Sequence, residues 1–511
     1  MKKSGLYSRL WYAYLLIYII YFALQEILPT RNFMHDYLPH SYTLVGVLGV
    51  ALLAVDFFTR RRMFRLPGTD MLMLFFVITM ISIVVNYRYD FTGNIKGIMW
   101  MAIQIFLLIA LPPETPKKTH IKRLSVVFDV FIFIWLVAVL WALGMYLAQE
   151  GGSIETIRTD RVQSLPIGFM NGRLHGMFED PNYAAVAAFF SIGFSVFCMC
   201  WGEHPKGFKI YYIIAIVMFV FYIILSGSRT VKLVAVIVSF FAAGFCAVLR
   251  VERKFFLRAL AFLLAGAVGA SVVWGSWQVL QKGLSYLPGV REIIVYRQQE
   301  SEPQSAEITE TPEATAPLVK AVDFTREDVA YNEDVSNNRF AIWSDYIQVF
   351  LDTPLFGASP RGSFLYAQDH FEDLFIFNRP YKTTHNGYLM LLVSVGILGS
   401  IWMLIWFVKV FFEVLGYLLR HINNRTDSYW MILLSSVMLM AFAMYSVLYS
   451  MMFFSNLVID VLFWLIIGVT LYLIRESEPE RYTKVSVTAR IFDAFFVKIG
   501  CAKRANSENV L

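Results

Sequence analysis

Charge is scarce in this sequence. Asp, Glu, Lys and Arg make up only 16 % of its 511 residues, whereas a soluble chain carries about 25 %, so a fold with an ordinary water-facing surface is excluded. Cysteine is scarce too: the four, Cys198, Cys200, Cys246 and Cys501, all fall outside the hydrophilic stretch 276–384. That stretch therefore has neither a disulfide framework nor a cysteine metal cluster. The chain shows no P-loop and no repeat strong enough to argue an inverted-repeat transporter, so nucleotide-driven work is not expected. We expect no cofactor and no catalytic metal.

Apolar residues are abundant. They reach 58 % of the chain, the mean hydropathy is +0.57, and several runs approach the roughly 20 residues that cross a bilayer core as a helix. The runs at 10–28, 41–58, 70–86, 95–111, 124–147, 183–201, 210–226, 230–250, 255–275, 386–411, 428–449 and 456–474 predict an all-α polytopic membrane protein with about 12 transmembrane helices. The basic start MKKSGLYSR leads into a long apolar stretch without an obvious cleavage site, so it reads as a retained first span.

The loops orient the chain. Alternate segments (MKKSGLYSR, TRRRMFR, KKTHIKR, EHPKGFK, RVERKFFLR and RHINNR) carry 19 Lys or Arg, and the intervening short loops carry only seven. The positive-inside tendency puts both termini in the cytoplasm and 276–384 outside. That outer segment, between the ninth and tenth spans, holds nine basic and 16 acidic residues, a net of −7, leaving +13 elsewhere against +6 for the whole. The basic excess is thus a topology signal, and no nucleic-acid partner is expected. Regions follow at 1–275 (spans one to nine), 276–384 (outer segment), 385–474 (spans ten to twelve) and 475–511, a tail whose residues 482–500 suit an interfacial helix. Within the outer segment, 299–319 is an acidic, Pro-containing insert. Phe340, Trp343, Ile347 and Phe350 predict an amphipathic helix over 339–351, stopped by Pro354 and Gly357.

Polar residues at outer span edges are the candidate site. Arg229 stands in the turn SGSRTVK between two apolar runs, where an arginine needs water, an acid, a lipid headgroup or a ligand phosphate. Lys232, one turn on, shares its face approximately. Arg173 and Asn182 flank the sixth span, and Arg339 opens the amphipathic helix. His385 follows Thr383 and Thr384, which suit a helix cap; a helix starting there would offer unpaired N–H groups to a phosphate, with His385 as general base for an alcohol. Each has a plainer alternative as a packing, capping or solvated residue. Glu179, Asp180, Glu333, Asp334 and Asp345 rival the histidine as bases, although Asp180 also suits a turn-capping role before Pro181.

The stretches GRLHGMFEDPNYAA, SGSRTVKLVA, NNRFAIWSDYIQVFLDTPLFGASPRGSF and THNGYLMLLVSVGILGS together resemble the O-antigen ligase and O-antigen polymerase superfamily of membrane glycosyltransferases. The resemblance covers mainly 170–405. It implies a GT-C-like membrane fold and metal-independent, inverting transfer of a glycan from undecaprenyl diphosphate to an acceptor hydroxyl, outside the cytoplasmic membrane. It assigns catalytic roles to Arg229, Arg339 and His385, and substrate contacts to Arg173, Asn182 and Asn386; Lys232 is a substrate-binding candidate only from its place beside Arg229. The implied partners are a lipid-linked glycan donor, a lipid-linked acceptor, membrane lipids, a flippase and a chain-length regulator; the implied product is a capsule, exopolysaccharide or O-antigen. The reading favoured here is a polymerase. A ligase transferring a finished glycan to a lipid core, and a transporter of the same lipid-linked glycan, are the alternatives. The long acidic insert departs from compact members, and Lys232 stands where a less polar residue is expected.

Overall fold

The computed structural model describes residues 2–112, 115–158, 161–251, 255–289, 321–325, 336, 338–378, 382–482, 487–488 and 490–491. The acidic insert 299–319, Glu333, Asp334 and most of 482–500 lie outside them.

Among the described residues, 11 helices are long and apolar enough to cross a membrane, and the shorter apolar helix Thr69–Val85 accompanies them. The apolar runs become helices because hydrocarbon offers the backbone no other hydrogen-bond partner. In chain order they are α1 (Lys2–Gln25), α2 (Leu28–Tyr37, short), α3 (Ser41–Val55), α4 (Thr69–Val85), α5 (Phe91–Ala102), α6 (Lys117–Ala148), α7 (Pro181–Trp201), α8 (Phe208–Leu225), α9 (Arg229–Val248), α10 (Phe255–Ser285), α11 (Arg339–Asp352), α12 (Ser363–His370), α13 (Gly387–Arg420), α14 (Asp427–Tyr445) and α15 (Val458–Ser477). This is an all-α polytopic membrane architecture. Helix α15 is its axis: it is apolar on all sides and 89 % of its span is buried, against 6 % for α10, which lies at the periphery with its apolar side chains outward. Trp464 of α15 is fully buried, with Trp406 against it, and Trp11, Trp100 and Trp135 are fully buried elsewhere in the core.

Two features depart from a simple bundle. The loop between α6 and α7 is an antiparallel three-stranded sheet: β1 (Gly151–Arg158), β2 (Arg161–Met170) and β3 (Arg173–Gly176), in the order β1-β2-β3. Asn171 and Gly172 are both left-handed, with φ of 54° and 71°, and join paired Met170 and Arg173. An Asn-Gly pair is the sequence that a two-residue hairpin turn demands. The sheet thereby fixes where Arg173 stands.

The second feature is a break in α13. Gly396 has φ 64° and ψ −171°, and the helix is interrupted there. The turn after α11 fills the gap: Ala358 N donates to Val393 O (2.8 Å), Ile397 N to Pro354 O (2.8 Å) and Leu398 N to Leu355 O (3.3 Å). Asn86 Nδ2 donates to Gly357 O and Ser82 Oγ to Ser394 O, at 2.9 and 2.8 Å. These bonds satisfy inside the protein backbone groups that the break would otherwise leave unpaired in a bilayer. A Cβ on Gly396 would stand 2.3 Å from Leu355 O, and its dihedrals belong to a region that is essentially glycine-only. Gly396→Ala should therefore cost at least ~1–3 kcal/mol from the backbone alone. Thermal unfolding in detergent should show a lowered midpoint; an unchanged midpoint would mean that the break is not formed.

Candidate functional site

The candidate residues sit in loops at one end of the bundle, and those loops meet a segment to which the sequence drew no attention. Helix α14 ends at Tyr445, four residues before the apolar run suggests, and 446–457 form a buried, irregular loop. Met452 and Phe454 are left-handed, with φ 84° and 52°. Asp460, in the first turn of α15, holds the loop by accepting from Met452 N (2.8 Å) and Leu457 N (3.3 Å). Trp464 Nε1 donates to Met452 O (3.2 Å), and Gln104 Nε2 donates to Ser455 O (3.0 Å).

Tyr449 is the meeting point. Its ring lies 5.1 Å from that of Tyr183, at the start of α7. The Arg339 guanidinium lies 5.5 Å from the same ring, within cation–π range. Its hydroxyl meets the side chains of Thr230 and Ser228, the residues on either side of Arg229, and burial, followed by the charge of Asp180, pushes that phenol up. One residue on, Ser450 Oγ is 3.1 Å from Thr384 Oγ1, and Gly387 N donates to Ser446 O (2.7 Å). The loop thus touches α7, the turn bearing Arg229, the first turn of α11 and the segment bearing His385.

Arg173 is buried at the base of this assembly, at 5 % exposure. Its Nε donates to Ser226 O (3.1 Å) and its Nη2 to Asn182 Oδ1 (3.0 Å), tying β3 to the turn before α9 and to α7. Asn182 is fixed in turn by Asp180, whose Oδ1 accepts from Asn182 N (2.7 Å) and Nδ2 (2.9 Å) while capping α7. Pro181 at the first helical position supplies the fixed φ of a helix start. Arg229 opens α9 with an exposed side chain, after Ser228, which caps the helix.

At His385 the arrangement differs from the expected one. The helix begins at Gly387, not at the histidine, and its cap is Asn386 rather than a threonine: Asn386 Oδ1 accepts from Tyr388 N and Leu389 N, both at 3.0 Å. With Gly387 N on Ser446 O and Met390 N on Asn386 O, the first four N–H groups are used within the protein. A phosphate at this point would therefore depend on side chains. His385 itself is half-buried and left-handed, with φ 48°, a conformation that His adopts more readily than most residues.

Three further candidates stand apart from Tyr449 in the described contacts. The Lys232 ammonium lies over the rings of Trp274 (4.1 Å) and Trp277 (5.7 Å) on α10. Asp345 is buried in α11 and accepts from Ile376 N (2.9 Å), so it anchors the chain after α12. Glu179 pairs with Arg31 of α2.

A further acid, Glu26, is buried between α1 and α2, and its carbonyl accepts from Glu179 N (3.1 Å). Burial first, then the charge of Glu179, pushes its carboxyl up to about 8. Below about pH 4.3 Glu26 is protonated whether or not the chain is folded. Between there and pH 8 only the unfolded chain loses the proton, so stability falls as pH rises across that window. Glu26→Gln should flatten this part of the curve of unfolding midpoint against pH; an identical slope in the variant would refute the assignment. Single spacing arguments could not find Glu26, because the acids that act on it, Glu179, Asp180 and Asp460, are all distant in the chain.

Comparison with characterised proteins gives no match. Residues 214–404 match the family model described as O-Antigen ligase, a segment that includes Arg229, Arg339 and His385 and stops short of Tyr449. Within its multi-span helical fold, the chain thus carries over residues 214–404 a segment similar to the O-antigen ligase family, which supports the O-antigen ligase and polymerase superfamily.

Proposed function

We propose that this chain is an inverting glycosyltransferase that uses no metal in its chemistry and polymerises repeats carried on undecaprenyl diphosphate into a surface polysaccharide, at the outer side of the cytoplasmic membrane. The family match supports glycosyltransferase activity of the ligase and polymerase type in general. The observation that supports a single site for this chemistry is the Tyr449 loop, on which the turn of Arg229, the start of the Arg339 helix and the loop of His385 converge.

In this reading the lipid tail lies along the helices and the diphosphate reaches the arginines. Arg229 and Arg339 balance the charge that grows on the diphosphate as the glycosidic C–O bond breaks, since a guanidinium presents several fixed donors to phosphate oxygens. His385 takes the proton of the acceptor hydroxyl while its oxygen forms the new C–O bond from the opposite face. The diphosphate leaves with the bonding electrons and needs no protonating acid. Arg173, Asn182 and Asp180 hold the base of the site.

The family description names a ligase, which favours a second reading: one transfer of a finished glycan to a different acceptor. Product length separates the two. Purified protein given a single lipid-linked repeat should yield a ladder if it polymerises; a single addition to a distinct acceptor would make it a ligase. Movement of the lipid across a vesicle bilayer without any new glycosidic bond would overturn both.

A further inference from the structure

We infer that Asp129, Cys198 and His204 form a site for a zinc-class transition-metal ion at the end of the bundle opposite the candidate active site. The three come from different places: Asp129 from the middle of α6, Cys198 from the last turn of α7, and His204 from the loop that leads to α8. One ligand atom from each lies within 4.8 Å of the others. Thiolate, imidazole and carboxylate are the donor set of tetrahedral zinc, with a fourth position left for water.

A plain Asp–His ion pair does not account for the geometry. His204 Nε2 lies 3.1 Å from Asp129 Oδ2, yet this nitrogen is fully buried and makes no aligned hydrogen bond. A ring N–H pairing with a carboxylate would point along the contact. The buried thiol of Cys198, which donates to Ser125 O (3.7 Å), stands on a third side, so that three donors face one point where an ion could be shared. The surroundings are also built for orientation. Tyr212 of α8 donates to Asp129 Oδ1 (2.7 Å), leaving Oδ2 for the ion, as outer-shell partners of metal ligands do. Residue 202 is glycine, and a Cβ there would stand 2.5 Å from His204 Cδ2, so any larger residue would displace the imidazole.

Cys198 follows Asn182 by sixteen positions on α7, about 24 Å along the helix axis. The ion is thus remote from the transfer chemistry and would staple α6, α7 and α8 together, with loss of the Cys198 proton on binding.

The test uses full-length protein in nanodiscs, stripped with a chelator and titrated with Co2+. One ion per chain should bind with a thiolate-to-cobalt charge-transfer band that Zn2+ abolishes. Cys198→Ser should remove the band and Cys200→Ser should leave it. Tyr212→Phe, which keeps all three ligands, should weaken cobalt binding by ~10–100-fold. Absence of the band in the native sequence, its survival in Cys198→Ser, or native affinity in Tyr212→Phe would each overturn the proposal.

Discussion

Removing the imidazole of residue 385 is expected to lower glycan transfer by ~10²–10⁴-fold, the range of a positioned general base, while the yield of folded protein stays constant. The backbone complicates the obvious variant. His385 has φ 48°, and alanine in that left-handed region loses about 1–2 kcal/mol, so His385→Ala mixes a chemical defect with a local strain. Asparagine visits the same region routinely. His385→Asn therefore isolates the proton-accepting group, and both variants should show the same fall in turnover. If asparagine restored transfer to near the native rate, the residue would act through backbone shape and not as a base.

Arg339→Ala is expected to have the second largest effect, on the order of 10²–10³-fold in turnover, the loss typical of one preorganised donor to a developing anion. Arg229→Ala should show a loss of similar size, but the two differ in what else they disturb. Arg339 rests against the ring of Tyr449, so its loss also loosens the loop, whereas Arg229 is exposed and its loss should leave the unfolding midpoint unchanged. Lysine should rescue neither fully, because a single ammonium cannot reproduce the guanidinium fork. Steady-state rates over a range of donor concentrations provide the measurement. Native rates for both alanine variants at all concentrations would remove the diphosphate clamp from the account.

The spans were legible in the sequence because hydrocarbon imposes a simple rule: about 20 apolar residues make a crossing helix. The bounds of the helix from Arg339 were equally legible, but its buried face was not: Ile342, Asp345, Tyr346 and Val349 are buried, whereas Phe340 and Ile347, expected to pack, are exposed at 66 % and 45 %. What escaped notice had weaker or longer-range signals. The sheet before α7 carried its Asn171-Gly172 turn in plain view, but 151–176 lacks the uninterrupted apolar runs that dominate this chain. The break in α13 is invisible in a hydropathy profile, since Gly396 sits within apolar sequence and its φ depends on a turn contributed by 354–358. Tyr449 reads as the end of a span until Asp460 and Trp464 are seen holding the loop around it. Among the site residues, Arg229, Arg339 and His385 were legible as polar groups at apolar edges. The convergence of their segments on the loop of Tyr449 was not, because Tyr449 is distant from all three along the chain. Lys232 looked like a companion of Arg229, and only the Trp residues of α10 reveal where its charge goes.

The transfer reaction itself is the most direct test of the account. Purified protein is incubated with a glycan of defined anomeric configuration on undecaprenyl diphosphate and a lipid-linked acceptor, in buffer containing a chelator, and the product linkage is read by nuclear magnetic resonance. The account predicts a new glycosidic bond of inverted configuration and one free lipid diphosphate per bond formed. Retained configuration, or an untouched donor, would contradict it.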